Sequence, residues 1–147
     1  MGSAVEISPA ECRELLATRT IGVIAYTEHA QPAIRTVEYV VDGEEVLVRT
    51  TADSIFARAV ANATVALNVH VVDVDRRSGW SVTAVGRARL LPLEESQRLA
   101  SRLGTWAPEG QSQVLHLRLQ KLTGRRMRAG AVVPAEQTGP ALGALAV

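Results

Sequence analysis

Six runs rich in β-branched and aliphatic residues, separated by tight-turn signals and only short helical stretches, constrain this chain more than any other feature. They are TIGVIAY (Thr20 to Tyr26), PAIRTVEYVV (Pro32 to Val41), EVLVRT (Glu45 to Thr50), TVALNVHVVDVD (Thr64 to Asp75), WSVTAVGRARLLP (Trp80 to Pro92) and SQVLHLRLQKL (Ser112 to Leu122). Val, Ile and Thr suit the pleated, half-buried surface of a sheet. The polar TEHAQ predicts a hairpin, DGEE a tight turn in which Gly43 accepts positive φ, and RRSG another turn. Gly86, inside the longest run, predicts a bend or bulge of the kind that turns a barrel corner. No glycine-rich strand-to-helix nucleotide fingerprint interrupts the series, so the expected fold is mainly β, a small six-stranded antiparallel barrel. A barrel this small often completes its core by dimerising.

Three short helices fit between the strands. In ISPAECRELLA, Ser8 caps the helix, Pro9 takes its first position, Glu11 completes a capping box and Ile7 staples onto Cys12, which predicts a helix from Pro9 to about Ala17. SIFARAVAN predicts a two-turn helix from Ser54 to about Asn62 with Asp53 as N-cap. LEESQRLASRLG predicts a third, ending at Gly104. The last stretch, residues 129–147, mixes Gly, Pro and Ala without a period and reads as a tail after a domain of residues 1–128.

With 147 residues and 47% apolar side chains the chain can bury a core as one domain. Sixteen basic against fifteen acidic residues leave no overall field for nucleic acid or an anionic membrane, so the expected partner is a small molecule. The single cysteine, Cys12, excludes an intramolecular disulfide and a cysteine-only zinc site, and suits a reducing cytoplasm. The N-terminus lacks the pattern of a secretion signal, and no window reaches the roughly 18 apolar residues of a membrane span. A cytoplasmic location is the expectation.

The stretch VRTTADSIF carries the most suggestive chemistry. An arginine, two threonines and a helix start can hold a phosphate, but Asp53 brings an anion to the same place. His29, His70 and His116 lie in separate segments without metal-ligand spacing, so no metal site is expected. His70 has no partner discernible from the sequence. Asp73 and Asp75 share a strand face beside two arginines and read as exposed ion pairs. Ser8 and Ser81 lack a nucleophile-elbow context, so no hydrolytic or other catalytic residue is assigned. Trp80 and Trp106 read first as core or interface residues.

Taken in order, ECRELLATRTIGVIAY, TVEYVVDGEEVLVRT, DVDRRSGWSVTAVGRA, TWAPEG and LTGRRM resemble the pyridoxamine 5'-phosphate oxidase-like, flavin-binding split barrels over roughly residues 8 to 126. The resemblance implies a homodimer with two interface clefts lined by both subunits, where FMN or a deazaflavin would lie. It places Arg49 and Thr50 at the flavin phosphate, with Ser54, Ile55 and Phe56 following. Val37, Glu38 and Tyr39 edge the flavin ring, Trp80 and Ser81 fall in the motif that approaches the cofactor or the partner subunit, and Trp106, like Trp80, could alternatively stack on a ligand in the cleft.

Three residues depart from the family's flavin-binding pattern: Glu38 in place of asparagine, Asp53 in place of glycine, and Ile55 in place of lysine. An N-cap Asp53 would occupy the helix-start N–H groups and repel a phosphate by roughly 4 kcal/mol at about 4 Å. Ile55 supplies no cation in return. No cofactor is therefore favoured. The expected function is to bind an apolar or aromatic small molecule in the interface clefts, as a carrier, sequestering or protective protein, with an FMN- or deazaflavin-dependent oxidoreductase as the alternative.

Overall fold

The computed structural model describes residues 3–51, 54–103 and 112–129. Its elements run β1 (Ser3–Glu6), α1 (Pro9–Ala17), β2 (Ile21–Glu28), β3 (Gln31–Asp42), β4 (Glu45–Thr51), α2 (Ile55–Val60), β5 (Thr64–Asp73), β6 (Ser78–Leu90), α3 (Leu93–Ala100), β7 (Ser112–Arg118) and β8 (Lys121–Arg128). The strands lie in the order β1-β8-β6-β5-β2-β3-β4-β7, and β6 also pairs with β7. That extra pairing closes β2 to β7 into a ring, while β8 and β1 extend the sheet from β6. All the pairs are antiparallel.

The described residues thus contain eight strands rather than the expected six. The six apolar runs form the ring. Two strands escaped the sequence because their pattern is weak: SAVE is four residues long, and KLTGRRMR is mostly polar, so it reads as a strand exit. Its polarity is tolerated because neither face of β8 closes the barrel. The run Ser112 to Leu122 breaks after Arg118, and Lys121 opens β8.

Local chemistry explains the elements. His29 and Ala30, at φ 50° and 61°, make the two-residue β2–β3 turn, and positive φ at both central residues matches the right-handed twist of the flanking strands. Pairing of β6 shifts from β8, ending at Val85↔Lys121, to β7, beginning at Ala88↔Leu117. Gly86 sits at that corner, where an added Cβ would lie 1.8 Å from the Arg118 carbonyl oxygen. Only a residue without a side chain lets the two strands cross so closely.

Alternate residues fill the barrel. Ile24, Tyr39, Val46, Val48, Leu67, Val69, Val82, Leu115 and Leu117 form one buried cluster with Cys12 and Leu16 of α1 and Phe56 and Val60 of α2. Burial holds the Cys12 thiol above its ordinary pKa, with the neighbouring Glu11 charge adding to the rise. Ser8 caps α1 by accepting the Glu11 amide at 3.2 Å. The Glu11 carboxylate is paired with Arg126 of β8, which ties α1 to the added strands rather than completing a capping box. α3 ends at Ala100, short of Gly104.

Candidate functional site

One group of expected residues surrounds the β4–α2 junction. Arg49 is half-buried and donates from Nε to the Ser112 hydroxyl at 2.8 Å, while Thr50 points inward and is buried. The N-cap of α2 is Ser54, not Asp53: its hydroxyl accepts the Ala57 amide at 3.0 Å. Asp53 lies outside the described residues. The reason for the difference is register: the helix starts at Ile55, so the side chain able to reach the third amide of the helix is that of residue 54. Ile55 is 56% exposed in the first turn, and Arg58, the helix's basic residue, stands in the last.

Phe56 turns into the barrel, meeting Tyr26 edge-on at 5.0 Å between ring centroids. The Arg35 guanidinium lies 4.9 Å above the same ring. A cation from β3 therefore stands next to the helix start. Val37 and Tyr39 also face the interior, and the Tyr39 hydroxyl donates to the Leu16 carbonyl oxygen rather than pointing at a ligand. Burial pushes that phenol up to about 12, against a smaller lowering effect of Arg19.

The second group lies on β5, β6 and β8. Trp80 is inward and only 9% exposed, but edges a depression of about 300 Å³ with Val71, Asp73, Arg126 and Met127. Ser81 faces outward. With Thr83 it accepts from the Asn68 amide nitrogen, at 2.9 Å and 3.0 Å. Trp106 lies outside the described residues. Asp73 accepts the Arg76 amide at 3.0 Å and pairs with the Arg76 side chain at 3.7 Å, an exposed ion pair as its sequence neighbours suggest, while Asp75 lies beyond the end of β5 and shares no strand face with it. Among the described residues no three His, Cys, Asp or Glu side chains gather as a metal site, and no helix is long and apolar enough to cross a membrane.

Between the two groups lies a groove the sequence did not announce. The β2–β5 ladder spans only Val23 to Ala25 against Ala66 to Asn68, and beyond it the strands splay. The opening, of about 540 Å³, is lined by residues 19–23 and 68–71. Strand registers put the outward residues around it in one row. Glu38 is opposite Ile21 on one side; His70 is opposite Ser81, and Ser81 opposite Arg125, on the other. Glu38 and Arg49 are each one residue beyond the last β3–β4 pair, Tyr39↔Val48. The signal for Asn68 and His70 was present as two polar residues at period two amid the apolar residues Val65 to Val72. Arg19 had no sequence signal.

A closed antiparallel ring with a sheet extension, an interior sealed by side chains, and a grooved outer face define a split barrel. The chain belongs to the pyridoxamine 5'-phosphate oxidase family, whose pattern matches residues 8–126. The uncharacterized protein Rv0080 of Mycobacterium tuberculosis is 33% identical over 136 residues, covering 88% of this chain and 90% of that protein. Among solved structures, an FAD binding protein from Mycobacterium smegmatis is 29% identical with a TM-score of 0.69, covering 84% of this chain and 98% of that one. An FAD and heme binding protein from the same organism shares the fold at 15% identity and TM-score 0.69, covering 90% and 77% of the two chains.

Proposed function

We propose that this protein is a homodimeric binding protein for a flavin-like or other aromatic ring ligand, held on the outer face of β3, β2 and β5, and that its grip on an FMN-type terminal phosphate is weak. The observation that carries the reading is the start of α2. Ser54 already takes the Ala57 amide, and exposed Ile55 brings no cation to the first turn. A phosphate monoester carries close to two negative charges at neutral pH. It is held by free helix-start amides and by cations. Losing one charge-assisted contact costs about 1.5 to 3 kcal/mol, roughly ten- to hundredfold in affinity. Arg49 and Arg35 offset part of this from β4 and β3.

A dinucleotide suffers less from such a defect, because its charge is divided between two linked phosphates and its adenosine adds contact area. The likeness to the Mycobacterium smegmatis FAD binding protein supports that order. The dimer is supported by the outer face itself, where Ile34 is 75% and Val72 57% exposed. As a binding protein it would carry, sequester or protect its ligand. Titration with riboflavin, FMN and FAD tests the reading. The expected result is FAD tightest, with FMN within about threefold of riboflavin. FMN bound more than about a hundredfold tighter than riboflavin would overturn the weak phosphate grip. Failure of all three at high micromolar concentration would exclude a flavin and leave another aromatic ligand. Family membership favours a second reading, an oxidoreductase in which the bound flavin passes a hydride and the protein orients it; turnover with a reduced nicotinamide and an acceptor would establish it.

A further inference from the structure

The groove between β2 and β5 carries a hydrogen-bonding pattern that follows from a single carbonyl. The Asn68 side-chain amide lies 3.2 Å from the Val82 carbonyl oxygen, which can only accept. The Asn68 atom facing it is therefore Nδ2, and the hydroxyls of Ser81 and Thr83 accept from the same nitrogen. This orientation turns Oδ1 the other way, toward His70 Nδ1 at 2.9 Å. An amide oxygen cannot donate, so Nδ1 carries the proton. In the neutral imidazole the other nitrogen, Nε2, then holds a lone pair.

His70 is exposed and lines the groove opposite Arg19 and Ile21. The groove thus combines an acceptor, His70 Nε2, with a donor, the Arg19 guanidinium, beside the apolar walls of Ile21, Val23 and Val71. Its narrow floor is secured by Gly22, where an added Cβ would come within 2.9 Å of Leu67 Cδ1 and 3.1 Å of the Asn68 carbonyl oxygen. The backbone edges of Ile21 and Gly22 on β2, and of Val69 to Val71 on β5, also lie beyond the β2–β5 ladder and face the opening. An acceptor and a donor lining one groove with apolar walls suit the edge of a planar heterocycle that presents an N–H beside a carbonyl.

We propose that the β2–β5 groove seats the imide-type edge of a planar heteroaromatic ligand, whose N–H donates to His70 Nε2 and whose neighbouring carbonyl accepts from Arg19. The inference rests on reading the outer face as the ring-binding site, and adds His70, Arg19 and Asn68 to the residues of that site. His70 and Arg19 touch the ligand. Asn68 is a positioning residue, holding the His70 tautomer.

Two measurements test it on the full chain. Nitrogen-15 NMR of histidine-labelled protein should show the neutral form of the His70 imidazole carrying its proton on Nδ1, and Asn68→Ala should erase that preference. A proton found mainly on Nε2 overturns the proposal. Lumichrome, a three-ring imide lacking the sugar-like chain and phosphate of flavins, serves as the probe. His70→Gln keeps an acceptor near the Nε2 position and should bind it within about threefold of the parent, while His70→Phe should bind about tenfold more weakly. Equal binding by the parent and His70→Phe overturns the groove assignment alone, with the flavin reading intact. Binding of neither lumichrome nor any flavin overturns both. Thermal melts of the variants confirm folding, which an exposed strand position should preserve.

Discussion

The Tyr39 hydroxyl donates to the Leu16 carbonyl oxygen at 2.5 Å, joining β3 to the last turn of α1 in the sealed interior. Leu16 lies in the last turn of the helix, where its carbonyl oxygen also takes a long contact from the Arg19 amide at 3.5 Å. Removing the donor with Tyr39→Phe should cost about 1 to 2 kcal/mol, read by denaturant unfolding at neutral pH.

The same bond gives a pH dependence of definite sign. The folded-state pKa of Tyr39 is raised from 10 to about 12, chiefly by burial, so the neutral phenol is favoured in the folded protein. Its contribution is complete below pH 10 and is lost as pH rises toward 12. Unfolding followed across this window should show a decline in stability that Tyr39→Phe reduces. An identical alkaline profile in both proteins would contradict the assignment.

Gly86 and Gly43 should respond very differently to alanine. At Gly86 the new Cβ meets the Arg118 backbone at 1.8 Å, and no side-chain rotation relieves it, so the β6 corner must open. Gly86→Ala is expected to destabilise by at least about 3 kcal/mol or to prevent folding. Gly43, at φ 64° with nothing near its added Cβ, should cost only about 1 to 2 kcal/mol. Expression yield and denaturant midpoints separate the two.

At the α2 start, Ile55→Lys should raise FMN affinity about tenfold, the value of one charge-assisted contact, while leaving riboflavin unchanged. A parallel gain for riboflavin would show that the lysine acts on the ring and not on the phosphate. Ser54→Ala should instead loosen the helix, costing about 1 kcal/mol in unfolding experiments.

If the outer face is the dimer interface, a charge at its apolar centre should separate the copies. Ile34→Asp places a carboxylate where a 75% exposed isoleucine now stands. Light scattering after size exclusion should give a dimer for the parent and a monomer for the variant. A monomeric parent would refute the homodimer.

The sequence was legible wherever a signal is local. Ser8 and Pro9 start α1 as read, the apolar runs become the ring, and Gly86 marks the corner. It was misleading at α2, because Asp53 and Ser54 are both good caps and only the observed first turn chooses between them. It was silent on β8, whose arginines and threonine carry no apolar period; the strand exists because β6 offers it an open edge and Glu11 a partner for Arg126.

The sequence by itself determined the strand series, the first helix and the resemblance that family membership upholds, because propensity, turn chemistry and capping act over a few residues. The tertiary structure decided which side chains share a surface. Phe56 and Trp80 turned inward, Arg35 reached the ring of Phe56, and the early end of the β2–β5 ladder opened a groove between Arg19 and His70. His70 gained its partner in the same way: Asn68 is two residues away, but its orientation is imposed by Val82, on a different strand. Ladder length and amide orientation depend on closing the whole ring, and no local stretch of sequence encodes that closure.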